Sequence, residues 1–489
     1  MDALYQASSS KSTNQMESLS REQLIDQRPH KMTVFHIISI LTFTNEDAII
    51  MRKYRIKEVK DMENKRNHYL EIIDNYRITG LNDVIGERFA TSNNLVRSIT
   101  DDYQRMITVL RQSKVASNIE TETDFHWHQL VARLEAVLHQ IESDEGFKQL
   151  TEFLVWDMGV SSRKYQGVYR ERIVPQTLEQ IGEDYSFFLL LACVVDAFEQ
   201  MAKQGIPEDV YGKVPFICLD QQLARFLDGG DLTIKDFQWE IHFYTCALFF
   251  FHRFNFLPQR LEDPIQVYRH RQTGEVKAFI AQQSLAFRSD GQYQGTNGIQ
   301  DDRGFVSRFE ATPTQVTGHV IDPVGIVSVE TTTISLDEWA LSLQTGDYTI
   351  GFHIPSGPGY TPENVRIAMT QAWEFFTSYY PEYDFKGFWS ESWLYDPHLV
   401  EVLDKGYSRI IDVKQYFYAY PIPSDDRMIQ ERVFGCYPVG LNVEPHHNSL
   451  QRAIICAMQA GVRFTTTSMF VLPHTIATIG MKEPPTLVI

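Results

Sequence analysis

The stretch "IGFHIPSGPGYTPENVRIAM" (350–369) runs from an apolar strand pattern into a loop with two glycines and two prolines, and a helix starts at Pro362. A helix start presents unpaired N–H groups and the positive end of the helix dipole, so an anion is stabilised there. Gly357 and Gly359 let the backbone come close to a phosphate and turn its amides inward. Ser356, Tyr360 and Thr361 complete the candidate cradle, with Thr361 as N-cap and Pro362 at the first helical position. Pro358 removes one amide donor from it. A capped turn without any ligand uses the same residues, so the loop alone leaves both readings open.

One helix further on, "WSESWLYDPHL" (389–399) supplies titratable groups at a strand end. A carboxylate such as Glu391 can accept a proton there and a tyrosine such as Tyr395 can return one. Glu391 reads equally as a solvated strand position, and Asp396 as a cap for the helix that follows. His353, on the strand before the glycine loop, shares a face with Gly351 and Pro355; a structural hydrogen-bonding role competes with a catalytic one. The pairs "FHWH" (125–128) and "PHH" (445–447) lack a matching ligand set with zinc spacing, so no metal is expected. Cys456 reads as a buried packing residue in a helix. The run "FQWEIHFYTCALFFFHRFNFLP" (237–258) reads as an aromatic-rich helix, mostly core, whose Glu240, His242, His252 and Arg253 could line a cleft wall.

The elements that must position these residues change character along the chain. Residues 1–30 read as a polar leader, 31–260 as a helical domain and 261–489 as a mixed sheet domain, an α+β chain. In the helical part, Leu130, Leu134, Val137 and Leu138 fall on one apolar face, and "SFFLLLACVVDAFEQMAK" is a buried helix stopped by Gly205. After about residue 260, "PIQVYRHRQTGEVKAFIA" alternates around a Thr-Gly turn and "SLAFRSDGQYQG" around Asp-Gly, both hairpin patterns. Strands are expected at "DYTIGFHIP", "FKGFWSESWLY", "IIDVKQYFYAYPI", "ERVFG" and "VRFTTTSMFVL", with helices at 362–380, 396–404 and 448–461.

A net charge of −18 with 22% charged residues excludes a basic nucleic-acid footprint and docking on an anionic membrane. Five scattered cysteines fit a reducing compartment. The apolar runs at Phe35–Thr44 and 187–195 are too short to cross a bilayer, and the start lacks a secretory h-region. The expectation is a cytoplasmic protein.

In order and spacing, "QGIPEDV" (204–210), the aromatic segment from 237, "LDEWALSLQTGDYTIGFHIPSG" (336–357), "SWLYDPHLVEVL" (392–403) and "NSLQRAIICAMQAG" (448–461) form a recognisable series. Across roughly 180–470 the chain resembles bacterial acyltransferase-domain proteins with a helical N-acyltransferase N-terminal domain and a GNAT-like C-terminal domain. The resemblance implies an acyl-CoA:amine N-acyltransferase with acetyl-CoA or a longer acyl-CoA as co-substrate and a small-molecule amine as acceptor. It further implies a sheet that splays beside the strand ending at Ile354, with the CoA pyrophosphate over Ser356, Gly357, Gly359, Tyr360 and Thr361. Transfer would be direct, with Glu391 or His353 as base and Tyr395 as acid. A GNAT-like binding protein without turnover is the alternative, and a carbohydrate-active enzyme built on the β-rich middle is a third class.

Overall fold

The computed structural model describes residues 45–92, 97–117, 125–164, 167–403, 408–440 and 448–481. The expected leader, the apolar run at 35–44 and the "PHH" histidines lie outside the described residues. The chain divides into two compact units, Met1–Asn67 and His68–Ile489. Helix α1 (Asn45–Tyr76) begins in the first; everything that follows concerns the second.

Helices α2 (Asp83–Thr91), α3 (Ile99–Gln112), α4 (Phe125–Glu142), α5 (Glu145–Arg163), α6 (Asp184–Lys203), α7 (Phe216–Leu227) and α8 (Phe237–Tyr244) make the helical part. Leu130, Leu134 and Val137 of α4 are buried, as their spacing requires. The start of α5 is fixed by Asp144, whose carboxylate accepts from Phe147 N at 2.8 Å. Helix α6 is the bundle's centre: Tyr185 through Ala197 are buried without a break. Its 20 residues are long and apolar enough to cross a membrane, longer than the run read from the sequence, but here they pack inside the bundle. Asp196, near the end of that apolar stretch, is held by Arg97 at 2.9 Å and Arg163 at 3.4 Å. A buried carboxylate is tolerable only with such partners.

The rest of the chain builds two six-stranded sheets. The strands are β1 (Phe249–Phe251), β2 (Phe254–Arg260), β3 (Ile265–His270), β4 (Val276–Ile280), β5 (Gln315–Ile321), β6 (Val327–Ser335) and β7 (Trp339–Gln344). They continue with β8 (Tyr348–His353), β9 (Phe388–Ser392), β10 (Tyr418–Pro421) and β11 (Thr467–Val471). The first sheet has the order β10-β11-β9-β8-β2-β1; the second has β6-β5-β4-β3-β7, with a short strand at Phe309–Ala311 pairing β5. The Thr-Gly hairpin appears as the antiparallel pair β3–β4. Between β8 and β9 runs α9 (Pro362–Tyr379), and β8 and β9 are parallel, so this is a crossover unit inside an otherwise antiparallel sheet. The two sheets meet over a shared apolar layer that includes Ile265, Val267, Ile280, Tyr420, Phe470 and Leu472.

Five local expectations are corrected. The aromatic run from 237 stops being helix at Tyr244; its Phe-rich part is the β1–β2 hairpin, which joins the first sheet ahead of residue 261. The strand at 388 stops at Ser392, and Trp393–Tyr395 form a 3-10 turn. "IIDVK" lies in helix α10 (Arg409–Lys414), and only Tyr418–Pro421 is strand. "ERVF" closes helix α11 (Arg427–Phe434) rather than forming a strand. Cys456, on helix α12 (Ser449–Gln459), is exposed rather than packed.

Gly387, just before β9, would place a Cβ only 2.5 Å from the Val471 carbonyl oxygen, and its own carbonyl accepts from Ile350 N at 2.9 Å. The Gly387→Ala variant is therefore expected to lose roughly 1–3 kcal/mol of stability. A thermal or urea melt measures it; an unchanged midpoint would show that β9 and β11 move apart at no cost.

Candidate active site

Strands β8 and β9 pair at only two positions, Ile350 with Phe388 and Gly351 with Trp389. Both strands run on, but each stays with its outer neighbour. β8 remains paired to β2 as far as His353 opposite Asn255, and β9 to β11 as far as Ser392 opposite Thr467. The result is a wedge between Phe352-His353 on one side and Ser390-Glu391-Ser392 on the other.

Two polar clamps hold the wedge. At the exit of β8, the Arg253 guanidinium, on the β1–β2 turn, donates to the carbonyls of Pro355 and Ser356, the latter at 3.2 Å. At the exit of β9, the fully buried Asp396 accepts from Thr465 N (2.5 Å) and Thr465 Oγ1 (2.8 Å), just before β11. Its other oxygen accepts from His398 N at 2.7 Å, so Asp396 also caps the turn that follows, as read from the sequence. Hydrogen bonds to a charged group contribute about 1.5–3 kcal/mol each, enough to set where a strand end goes.

Alternation along the strands sorts the wedge into two faces. Phe352, Phe388 and Ser390 share the face covered by α9, where Trp373 packs on Phe388 with ring centres 6.1 Å apart. Gly351, His353, Trp389 and Glu391 share the opposite face, together with Ser468 opposite Glu391; Trp389 packs there on the apolar layer of the second sheet and His353 on Trp239 of α8.

Glu391 reaches solvent, yet enough protein surrounds its carboxyl that desolvation first, and the charge of Asp263 second, raise its pKa from 4.5 to about 7. An accessible side chain in a dense surrounding sits in a crevice. Asp263, in the turn between β2 and β3, accepts from Tyr420 Oη at 2.6 Å and Trp389 Nε1 at 3.1 Å; the same indole N–H also lies 2.7 Å from Tyr420 Oη. His353 packs its ring 4.9 Å from that of Trp239, and its Nε2 is buried without a hydrogen bond. Burial lowers its pKa to about 4, so it is neutral at physiological pH and a weak base. Of the two sequence-derived bases, Glu391 has the proton affinity suited to the work.

Tyr395 lies on the α9 face, fully buried, and its hydroxyl donates to Ser390 Oγ at 3.0 Å. Burial pushes its pKa well up, which keeps the phenol protonated. Tyr360 is turned inward against Phe254 (ring centres 6.3 Å apart) with its hydroxyl near that of Tyr395, so its side chain is part of the wall. Ser356 and Gly357 are exposed and Gly359 half-buried. Gly357 (φ 114°) and Gly359 (φ 96°) both adopt backbone that favours glycine. Thr361 Oγ1 accepts from Asn364 N at 3.3 Å, the N-cap bond expected from the sequence, and Asn364 Nδ2 donates to Gly359 O at 2.9 Å. Gly480 lies against Pro362 and Glu363, so the helix start is covered on one side. Arg253 Nη1 is buried beside the loop without a hydrogen bond. Among the described residues no group of histidines, cysteines and carboxylates could hold a metal ion.

Asp263, Trp389 and Ser390 were not read from the sequence as part of the site. Asp263 meets its partners across 126 and 157 residues of chain, and nothing in "LEDPIQV" signals it. Arg253 did carry a signal, a lone cation within an aromatic run.

Residues 249–470 match the family of the GNAT-like C-terminal domain. No curated protein matches the chain. Among solved structures, the chain is similar to an acyltransferase mutant in complex with octanoyl-CoA, at 17% identity and a TM-score of 0.44, covering 84% of this chain and 100% of that one. It is also similar to an acyltransferase in complex with decanoyl-CoA and teicoplanin, at 17% identity and a TM-score of 0.43, covering 83% and 94%. Likeness at that level carries no residue roles across. The GNAT-like match begins at Phe249, where β1 opens the first sheet.

The titration of Glu391 is open to direct test. Between 4.5 and about 7 the folded chain holds a proton that the unfolded chain has lost, so this group makes stability fall as pH rises through that window. Carbon-13 NMR of labelled glutamate, with Glu391→Gln to assign the signal, is expected to show one carboxyl titrating near 7. A Glu391 that titrates at the ordinary glutamate value would remove it as a candidate base.

Proposed function

We propose that the chain is an acyl-CoA-dependent N-acyltransferase, moving an acyl group directly from the thioester to a small-molecule amine. The observation that carries this reading is the placement of Glu391 and Tyr395 on opposite faces of one open wedge between parallel strands. The GNAT-like match over 249–470 supports it.

A linear thioester fits this arrangement with its phosphates at the loop 356–361 and its reactive carbonyl in the wedge. Ser356, Gly357 and Gly359 would hold the pyrophosphate through the backbone, Thr361 keeps the helix start formed, and Arg253 Nη1 offers a further donor. Backbone groups of β8 left without a β9 partner beyond Gly351 would hold and polarise the thioester carbonyl. From the other face, Glu391 takes the proton that the amine loses as its nitrogen bonds to the carbonyl carbon. The carbon–sulfur bond then breaks, and Tyr395, with Ser390 behind it, supplies the proton to the leaving sulfur. No protein nucleophile is needed. We place the reaction in the cytoplasm, in keeping with the net charge of −18 and the free cysteines.

A second reading, a binding protein without turnover, has one specific observation behind it: Tyr395 is fully buried and can reach a ligand only if the side chains that cover it move. Titration calorimetry with acetyl-CoA and longer acyl-CoAs is expected to show binding, and acyl transfer to an amine panel to show turnover that rises with pH through about 7. Glu391→Gln should lower kcat roughly 100- to 10,000-fold while leaving CoA binding within a few-fold. Binding of every CoA species without turnover would favour the second reading, and no binding of any CoA species would sink both.

A further inference from the structure

Glu391 does not stand alone on its face of the sheet. The groups that face it are Trp389 on its own strand, Ser468 on β11, Tyr420 on β10, His353 across the wedge on β8, and Asp263 in the turn between β2 and β3. Of these, Asp263 is the charged group whose field acts on Glu391, and it raises the proton affinity there. His353 is neutral.

The two carboxyls have unlike surroundings. Asp263 is half-buried, and desolvation raises its proton affinity, but two hydrogen bonds on one oxygen, from Tyr420 O–H at 2.6 Å and Trp389 Nε1–H at 3.1 Å, oppose that rise. Both groups can only donate to a carboxylate here, and donation to the charged form favours it. Glu391 has no such donors among the described hydrogen bonds and stands in the field of a neighbouring carboxylate. When two carboxyls share a region, the one with the donors keeps the charge and the other takes the proton. Trp389 links them physically: it lies two residues from Glu391 on the same strand face, and its ring is fixed by Asp263.

We infer that Asp263 is a positioning residue for the proposed reaction: clamped between Trp389 and Tyr420, it holds the negative charge of the carboxyl pair, so that Glu391 is the member that takes and releases the proton. This rests on Glu391 being the base. Asp263 touches neither substrate nor reacting atoms; it acts through Glu391 and through the placement of Trp389.

The test uses the full chain and Asp263→Asn, in which the amide oxygen can still accept from Trp389 and Tyr420 while the charge is gone. If that variant does not fold, Asp263→Ser removes the same charge. The first readout is the carbon-13 titration of Glu391 without any ligand. Its midpoint is expected to move to lower pH in the variant; for a fall of about one pH unit, the ionised fraction of Glu391 at pH 6 rises roughly fivefold. The second readout is the pH profile of acyl transfer, whose acid limb should move in the same direction. A residue serving only to brace the fold would lower the melting temperature and leave both midpoints where they were. An unchanged Glu391 titration in a folded variant overturns the inference whatever the activity. Absence of acyl transfer by the unsubstituted protein would sink the proposed function instead, and the ligand-free titration would still decide the role of Asp263.

Discussion

The parting of β8 and β9 is the constraint on which the rest of the site depends. Parallel strands that have two rungs in common would ordinarily continue to pair, since each further rung satisfies a donor and an acceptor. Here each strand keeps its outer partner and loses its inner one. Arg253 draws the exit of β8 toward the β1–β2 turn through two carbonyls, and Asp396 draws the exit of β9 toward the segment entering β11 through Thr465. Neither clamp is apolar, so the opening is not simply a packing defect. A buried carboxylate with four donors, two from Thr465 and two from His398, fixes a strand end more tightly than side-chain packing would.

Around that opening, burial sets the protonation states. Tyr395 and His353 are both neutral because desolvation disfavours their charged forms, the first kept protonated and the second kept unprotonated. Glu391 differs in that solvent reaches it while protein and Asp263 surround it. One environment, the edge of a buried wedge, thus yields a phenol that can give a proton and a carboxylate poised near neutrality to take one. This separation follows from depth along β9: Ser390 and Glu391 are adjacent in sequence and face opposite ways.

How much of this was legible in the sequence depends on whether a residue's role is local. The strand–loop–helix–strand order around 348–392, the Thr361 cap and the Thr-Gly hairpin are set by residues within a few positions of each other, and they appear where the sequence puts them. The β1–β2 hairpin was hidden because Phe254–Gln259 are buried on both faces, so the period of two that marks a strand is absent. Residues 409–414 carry the β-branched bias of a strand yet form a helix, a case of tertiary packing overriding propensity. The position of Tyr395 on a 3-10 turn depends on Ser392 capping Leu394 N, a bond that the strand pattern masks. Asp263 was out of reach altogether, because its partners are set by how two sheets meet.

The crossover between β8 and β9 also decides which side of the sheet can serve which end of a long ligand. Helix α9 covers one face, so its start and the loop 356–361 are bound to the same side as Ser390 and Tyr395. In the proposed reaction, an anionic group at that loop and a leaving group near Tyr395 would therefore belong to one molecule approaching from one side, with Tyr360 in the wall between the two places. The face of Glu391 would remain for the other reactant. A single-sheet partition of this kind would keep two reactants on separate faces, with the gap between them fixed by Arg253 at the exit of β8 and Asp396 at the exit of β9.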